Sequence, residues 1–267
     1  MQQTDTVEKV WKLIRSECEI TAKQEPFGAD FLQDIVLSRN SFSDSLAAVL
    51  AVRLADDMIP RPKWEDLFAK EFSAKSALAE HAALDLQAVI NRDPACNSLL
   101  EPFLFFKGYQ SLQAHRIAHS LWLHDRHFIA LLIQSIVSRK FSVDIHPAAQ
   151  IGHGILLDHA TNFVVGETAV IGNNVSILHG VSLGGNGKEK GDRHPKIGDG
   201  VMIGAHAQLL GNIRIGKGAK IGAGAVVLQS VPAHTTVAGV PAVRVGRTAE
   251  SMPALEMQQN FTEDAQA

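Results

Sequence analysis

The sequence predicts an α-helical domain followed by a parallel β-helix, and three observations carry the prediction. From Ile145 to Val245 an aliphatic residue recurs every six residues, most regularly at Ile197, Ile203, Leu209, Ile215, Ile221 and Val227. Glycine follows at Gly198, Gly204, Gly216 and Gly222. Residues 1 to 140 lack this period and hold most of the aromatic residues and helix formers. A hexapeptide period reads as a stack of short strands and corners whose inward aliphatic residues share one core.

In chain order, Val7, Val10, Trp11 and Ile14 repeat at helical spacing, as do Phe31, Ile35 and Val36. Ser43-Asp44 is the predicted cap of a helix over Leu46 to Leu54, which Pro60 and Pro62 end. Trp64, Leu67, Phe68 and Phe72 begin the next helix, and Ala77 to Ile90 forms another. Asn91-Arg92-Asp93-Pro94-Ala95 is a turn, because Pro94 disfavours helical backbone at Asp93. Further helices are predicted around Phe103 to Trp122 and Phe128 to Ser138. The helical domain spans residues 1–141 and the β-helix 142–246, with no flexible linker between them, so the two are expected to pack directly. Residues 247–267 are expected to form a flexible tail.

Composition narrows the partners. The chain has 267 residues, 46% hydrophobic and 20% charged, with a net charge of -3. Such a balance gives no basic footprint for nucleic acid. Cys18 and Cys96 offer neither a disulfide framework nor zinc-type spacing. No signal peptide and no membrane-length apolar run is visible. A cytoplasmic protein is expected, without nucleic-acid or membrane partners.

The count of six breaks twice. Leu157 to Val165 is eight residues, which places about two extra residues around Thr161 to Val164. Leu183 to Ile197 is fourteen, so a Gly-rich polar loop over 184–196 protrudes from the stack. Functional residues favour such loops on rigid scaffolds. Three hexapeptides make one triangular coil. With the insertions removed, Leu157, Ile177, Ile203 and Ile221 fall on one face. Two places on, His159, His179, Ala205 and Ala223 form a column whose small members leave room for a long, narrow ligand.

His159 is a candidate general base, since an imidazole held by a carboxylate is the minimal unit for that chemistry. Both Asp158 and Asp144 are candidates to orient it, and spacing does not choose between them. Arg193 and His194 in the loop suit an anion clamp. Lys217 and Lys220 suit a phosphate-bearing tail near the column. Among the histidines, His153 and His159 diverge on successive faces, His159 and His179 can converge but lack a third ligand within the chain, and His146, His206 and His234 fall on other faces or levels, which leaves only a cluster shared between subunits. No metal site is expected.

Several motifs resemble the serine acetyltransferase family: Asp144-Ile145-His146-Pro147, Leu157-Asp158-His159-Ala160-Thr161, Val165-Gly166-Glu167-Thr168, Gly191-Asp192-Arg193-His194-Pro195-Lys196-Ile197-Gly198 and Val237-Ala238-Gly239-Val240-Pro241-Ala242. Asn91-Arg92-Asp93-Pro94-Ala95 and His115-Arg116 extend the resemblance into the helical half. It implies a left-handed parallel β-helix behind the helical domain, trimers through the β-helix, and a hexamer built as a dimer of trimers. It also implies transfer of acetyl from acetyl-CoA to L-serine, the first step from serine towards cysteine, with L-cysteine as inhibitor. By resemblance, His159 is the base and Asp144 its orienting carboxylate. Asp93 and Asp158 bind the amino acid, Arg193 and His194 lie near its carboxylate, and Ala205 and Ala223 lie along the CoA pantetheine arm. Gly185 in the Gly run of the loop and Lys220 near Ala223 are further candidate CoA contacts, from their residue types and places in the chain. Acetyl-CoA is a cosubstrate, and no metal is implied. Two other readings are acetylation of a different hydroxyl, such as a sugar's or homoserine's, and a γ-type carbonic anhydrase or trimeric scaffold. In the family a C-terminal Ile commonly inserts into O-acetylserine sulfhydrylase. Here the residue is Ala267, so either that complex does not form or the true tail differs.

Overall fold

The computed structural model describes residues 2–187, 190–248 and 250–259. The helical half comprises α1 (Gln2–Gln24), α2 (Ala29–Leu32) with a π turn over Gln33–Leu37, α3 (Phe42–Leu54), α4 (Arg61–Ala74), α5 (Ser76–Arg92), α6 (Leu100–Phe105), α7 (Lys107–Trp122) and α8 (His127–Phe141). Helix α3 starts earlier than its expected cap at Ser43-Asp44. Ser41 is extended, and its hydroxyl accepts from the Asp44 N–H at 3.1 Å. The Asp44 carboxylate accepts from the Asn40 N–H, so two otherwise orphaned donors are satisfied together. Arg61 and Pro62 open α4, where a missing N–H costs nothing. Helix α8 ends on Ser142, whose left-handed backbone turns the chain into the first strand.

From Val143 the chain winds through three parallel sheets. The first face holds Val143–Ile145, Phe163–Val165, Ser182–Gly184, Gln208–Leu210 and Val226–Val227. The second holds Gln150–Ile151, Val170–Ile171, Lys196–Ile197 and Arg214–Ile215. The third holds Leu156–Leu157, Ser176–Ile177, Met202–Ile203, Lys220–Ile221 and Thr235–Ala238, closed by an antiparallel strand, Val243–Arg247. The inward Ile, Leu and Val residues at the six-residue positions from Ile145 to Val227 are buried, Ile151 partly so, and form one continuous core with the helices. As the spacing requires, Leu157 pairs with Ile177, Ile177 with Ile203, and Ile203 with Ile221.

The first interruption lies earlier than the spacing placed it. In regular coils the His206 N–H donates to the His179 carbonyl, and the Gly224 N–H to the Ala205 carbonyl. The equivalent Gly180 N–H donates to Thr161, not to His159. Pairing of Val164 with Ser182 fixes the same register. Thr161 therefore occupies the ladder position above His179, and His159 and Ala160 are the two extra residues. Both have positive φ, at 54° and 57°. The break in the count is His159 itself.

Helices and coils meet through a buried polar joint. Asp85 accepts from Arg116 Nη2 at 2.6 Å, from Gln113 Nε2 and from the Ile155 N–H. Arg116 also donates to the carbonyls of Ile151 and Gly152. Arg92 reaches Ser176 Oγ at 3.1 Å. Gly108, in the first turn of α7, lies so close to the Leu157 carbonyl that a Cβ would come within 2.0 Å of it.

The expected flexible tail from 247 is not what the described residues do. Arg247 ends a paired strand, and a short helix α9 (Pro253–Glu256) docks on the outer side of the third face. Ala254 is fully buried with Leu178 and Met202, and its carbonyl accepts from Ser176 Oγ at 2.8 Å. Met252 sits where a Cβ on Gly200 would project. The absent side chain makes the socket. The terminal residues that bear on the sulfhydrylase partner, including Ala267, lie outside the described residues.

Candidate active site

The candidate site begins at the corner between the third and first faces. Asp158 leaves the strand in register, its N–H donating to the Ile177 carbonyl at 2.8 Å. His159 then takes a left-handed backbone conformation, uncommon for a residue with a Cβ and frequent at functional positions. Its side chain is 77% exposed, with Nε2 3.8 Å from the Asp158 carboxylate. Its ring stands edge-on to His179 at 6.0 Å, and His179 stands edge-on to His206 at 4.8 Å. The expectation that His206 lies apart from this column is therefore corrected. His206 fills the left-handed corner position that Gly180 and Gly224 fill in neighbouring coils, and this brings its ring back to His179.

Burial pushes the Asp158 carboxyl above its ordinary range, the His159 imidazole opposes the shift, and Asp93 adds to it. The two aspartates thus share one field although they come from different halves of the chain. Asp93 caps α5, and its carboxylate accepts from the Ala95 N–H at 2.9 Å, closing the turn that Pro94 imposes. The preceding Arg92 is tied down beside Ser176, which fixes this turn against the third face. Two carboxylates acting on one point suit an ammonium group.

Asp144 lies on the first face, where its carboxylate accepts from Gln134 Nε2 of α8 at 2.7 Å. Among the described residues, Asp158 is the carboxylate within ion-pair distance of His159.

The loop residues gather at a different edge, between the first and second faces. Thr168 organises them. Its hydroxyl accepts from the Arg193 and His194 N–H groups at 3.0 and 3.1 Å and lies 2.9 Å from His194 Nδ1. Arg193 Nη2 donates to Glu167 at 2.7 Å, and that guanidinium holds the Glu167 carboxyl below its ordinary range. His194 is buried against Gly166, where any Cβ would strike its ring, and burial lowers its basicity. Gly185 faces the same ring: a Cβ placed there would lie 3.6 Å from Nε2. Sequence reasoning assigned Glu167 and Thr168 no role. Their only signal is their place in the Val165-Gly166-Glu167-Thr168 stretch.

On the third face, Ala205 is half-buried and Ala223 is exposed, leaving an open strip below His179. Lys220 does not sit as expected. It is 6% exposed on the outer side of the sheet, where burial lowers its basicity and Glu250 opposes that shift. Pointing outward from a solenoid is not exposure when a terminal segment covers the sheet. Among the described residues no group of three or more His, Cys, Asp or Glu is placed to hold a metal ion. No helix among them is long and apolar enough to cross a membrane.

A triangular hexapeptide stack with an exposed imidazole beside a carboxylate and a strip of small residues defines a hexapeptide-repeat acyltransferase. The six-repeat bacterial transferase hexapeptide model matches residues 194–229, and the model described as serine acetyltransferase, N-terminal, matches residues 10–114. The chain is 49% identical over 257 residues to the serine acetyltransferase of Salmonella typhimurium, covering 96% of this chain and 94% of the relative. The chain belongs to the serine acetyltransferase family.

Solved relatives carry ligands. A serine acetyltransferase in complex with cysteine aligns with a TM-score of 0.93 and 47% identity, covering 95% of this chain and 99% of that one. Soybean serine acetyltransferase complexed with serine aligns at 0.88 and 52%, covering 90% and 99%. Serine acetyltransferase in complex with coenzyme A from Brucella abortus strain S19 aligns at 0.90 and 45%, covering 92% and 98%.

Proposed function

We propose that this chain transfers acetyl from acetyl-CoA to the hydroxyl of L-serine, with His159 as general base. The observation that carries the reading is the exposed His159 ring, projected from the stack by a two-residue break beside the Asp158–Asp93 pair. A serine hydroxyl is a weak nucleophile at neutral pH and needs such a base. The imidazole takes the hydroxyl proton as the oxygen attacks the thioester carbonyl. The C–S bond breaks, and the imidazolium returns the proton to the CoA sulfur. Asp93 and Asp158 receive the substrate ammonium, and Arg193 and His194 its carboxylate. Ala205 and Ala223 lie along the CoA arm, with Gly185 at the edge of the acyl site. Asp144 is proposed as orienting carboxylate on the family resemblance. Lys220 is left out of the CoA contacts because it is covered.

The two halves of this serine site lie at different edges of one triangle. Asp158 and His159 sit at the corner between the third and first faces, and Arg193 and His194 at the corner between the first and second. A site closed between neighbouring subunits resolves this, and the exposed Val164 and Leu228 of the first face, 40% and 54% accessible, supply apolar surface for the contact. Trimers paired into a hexamer follow as the proposed assembly, with L-cysteine competing for the serine site. Cytoplasmic placement belongs to the same reading.

The deciding experiment measures thiol release from acetyl-CoA with serine, homoserine and simple sugars, each with and without cysteine. Serine-specific turnover suppressed by cysteine is expected. A sugar turned over as well as serine would reject the proposal. Asp144→Asn and Asp158→Asn separate the carboxylates: the first should lower kcat, the second should raise the serine KM.

A further inference from the structure

A cleft of about 460 Å³ opens where α5 meets the corner between the second and third faces, within the range of small-molecule pockets. Leu84, Gln87, Ala88, Asn91 and Arg92 form one wall. Their three- and four-residue spacing makes them a single stripe of α5. His153 and Asn174, from successive coils, supply the other wall, and Leu255 of α9 an edge. Asp93, Asp158, His159, Arg193 and His194 are not among its lining residues.

This cleft holds a charge that the protein does not neutralise. Arg92 lines it and is 7% exposed. Its acceptors are all neutral: the Val175 carbonyl at 3.4 Å, Ser176 Oγ at 3.1 Å and Asn174 Oδ1 at 3.4 Å. Asp85 is the carboxylate that acts on it, and Asp85 is already paired with Arg116 at 2.6 Å. Burial lowers the Arg92 pKa to about 10, so the guanidinium stays charged at neutral pH. A buried charge without a counter-charge is costly, and a bound anion removes that cost.

The donors left over fix the ligand class. A guanidinium has five N–H groups, and three bonds leave two. Nε has no acceptor among the described residues and is not sealed from solvent, and Nη2 bonds only Asn174. Donors on these adjacent nitrogens form the side-by-side pair that a carboxylate accepts. Among the described lining residues there is no Asp or Glu, so an ammonium would find no counter-charge. That disfavours amino acids, and a polyphosphate would bring more charge than one guanidinium balances. Gln87 and Asn91 offer amides to a hydroxyl or carbonyl, and Leu84 and Leu255 cover a short apolar body. We propose that this cleft binds a small monocarboxylate that lacks an amine and carries a polar atom beside its acid group, held by Arg92 and bridging α5, two coils and α9. The proposal does not depend on the serine reading.

The test soaks crystals of the full chain with 5-bromofuran-2-carboxylate and measures its affinity by isothermal titration, beside inorganic phosphate and L-alanine. Anomalous bromine density between α5 and Asn174 is expected, with the carboxylate on Arg92 and no heat from L-alanine. Gln87→Glu puts a competing carboxylate in the cleft and should weaken binding about tenfold or more. Arg92→Lys keeps the charge but loses the paired donors, and should weaken it similarly in a protein whose melting curve shows it folded. Four outcomes would overturn the proposal: no density in the cleft, density without measurable heat, affinity unchanged in Gln87→Glu or in folded Arg92→Lys, or phosphate or L-alanine binding as tightly as the furoate.

Discussion

Asp85 and Arg116 form a 2.6 Å ion pair in which the two side chains are 0% and 5% accessible, at the junction of helices and coils. Breaking such a buried pair by removing one partner costs about 3–5 kcal/mol, because the remaining charge has no water. Asp85→Ala should therefore lower Tm by roughly 10 °C in a chain of this size, read by calorimetry on the intact protein. A shift within a degree or two would mean that the joint contributes little.

His159→Ala should lower kcat by about 10²- to 10⁴-fold, the usual contribution of a positioned base. Coenzyme A affinity, measured by titration, should stay within twofold. The His159 side chain is exposed and Ala160 beside it stays buried in the core, so removing the imidazole leaves the ladder intact.

Ala223→Phe should weaken coenzyme A binding by tenfold or more, by filling the open strip below His179, with Tm unchanged because the site is exposed. Titration with coenzyme A and a melting curve check both halves. Normal affinity in a folded variant removes the strip from the donor path.

Thr168→Val removes the acceptor shared by the Arg193 and His194 N–H groups. Losing hydrogen bonds of this kind costs about 1–3 kcal/mol. The serine KM should rise roughly tenfold while the KM for acetyl-CoA stays constant. Equal increases in both would point to general loosening of the coil.

The Asp158 carboxyl titrates above its ordinary range, first through burial and then through Asp93. Binding of the serine ammonium needs it ionised, so serine KM should rise as pH falls through that raised value. Asp93→Asn removes a like charge, lowers the Asp158 pKa and should move this limb to lower pH. A raised folded pKa also means that the stabilising contribution of protonated Asp158 is present at low pH and lost as pH rises through it. KM profiles for the two proteins test the direction.

The inward face of the solenoid was legible because burial imposes a strict period on Leu157, Ile177, Ile203 and Ile221. The position of the first insertion was not. An aliphatic count gives the number of extra residues between Leu157 and Val165, and it takes the Gly180–Thr161 hydrogen bond and the Val164–Ser182 pairing to show that His159 and Ala160 are the extra pair. The polar loop betrayed Arg193 and His194, while the group that holds them, Thr168, reads as an ordinary corner residue. Lys220 and the α9 segment were misread together. Docking through Ala254 and the sockets at Gly200 and Gly218 relies on missing side chains, which leave no hydrophobic period.

Gly108 carries a consequence for modularity. The start of α7 rests directly on the backbone carbonyl of Leu157, one residue before Asp158 and two before His159. One methyl group there would lift the helical layer from the strand that delivers the base. The solenoid is consequently not a portable cassette. Grafted onto another N-terminal partner, its coils could stack correctly and still present His159 at the wrong height.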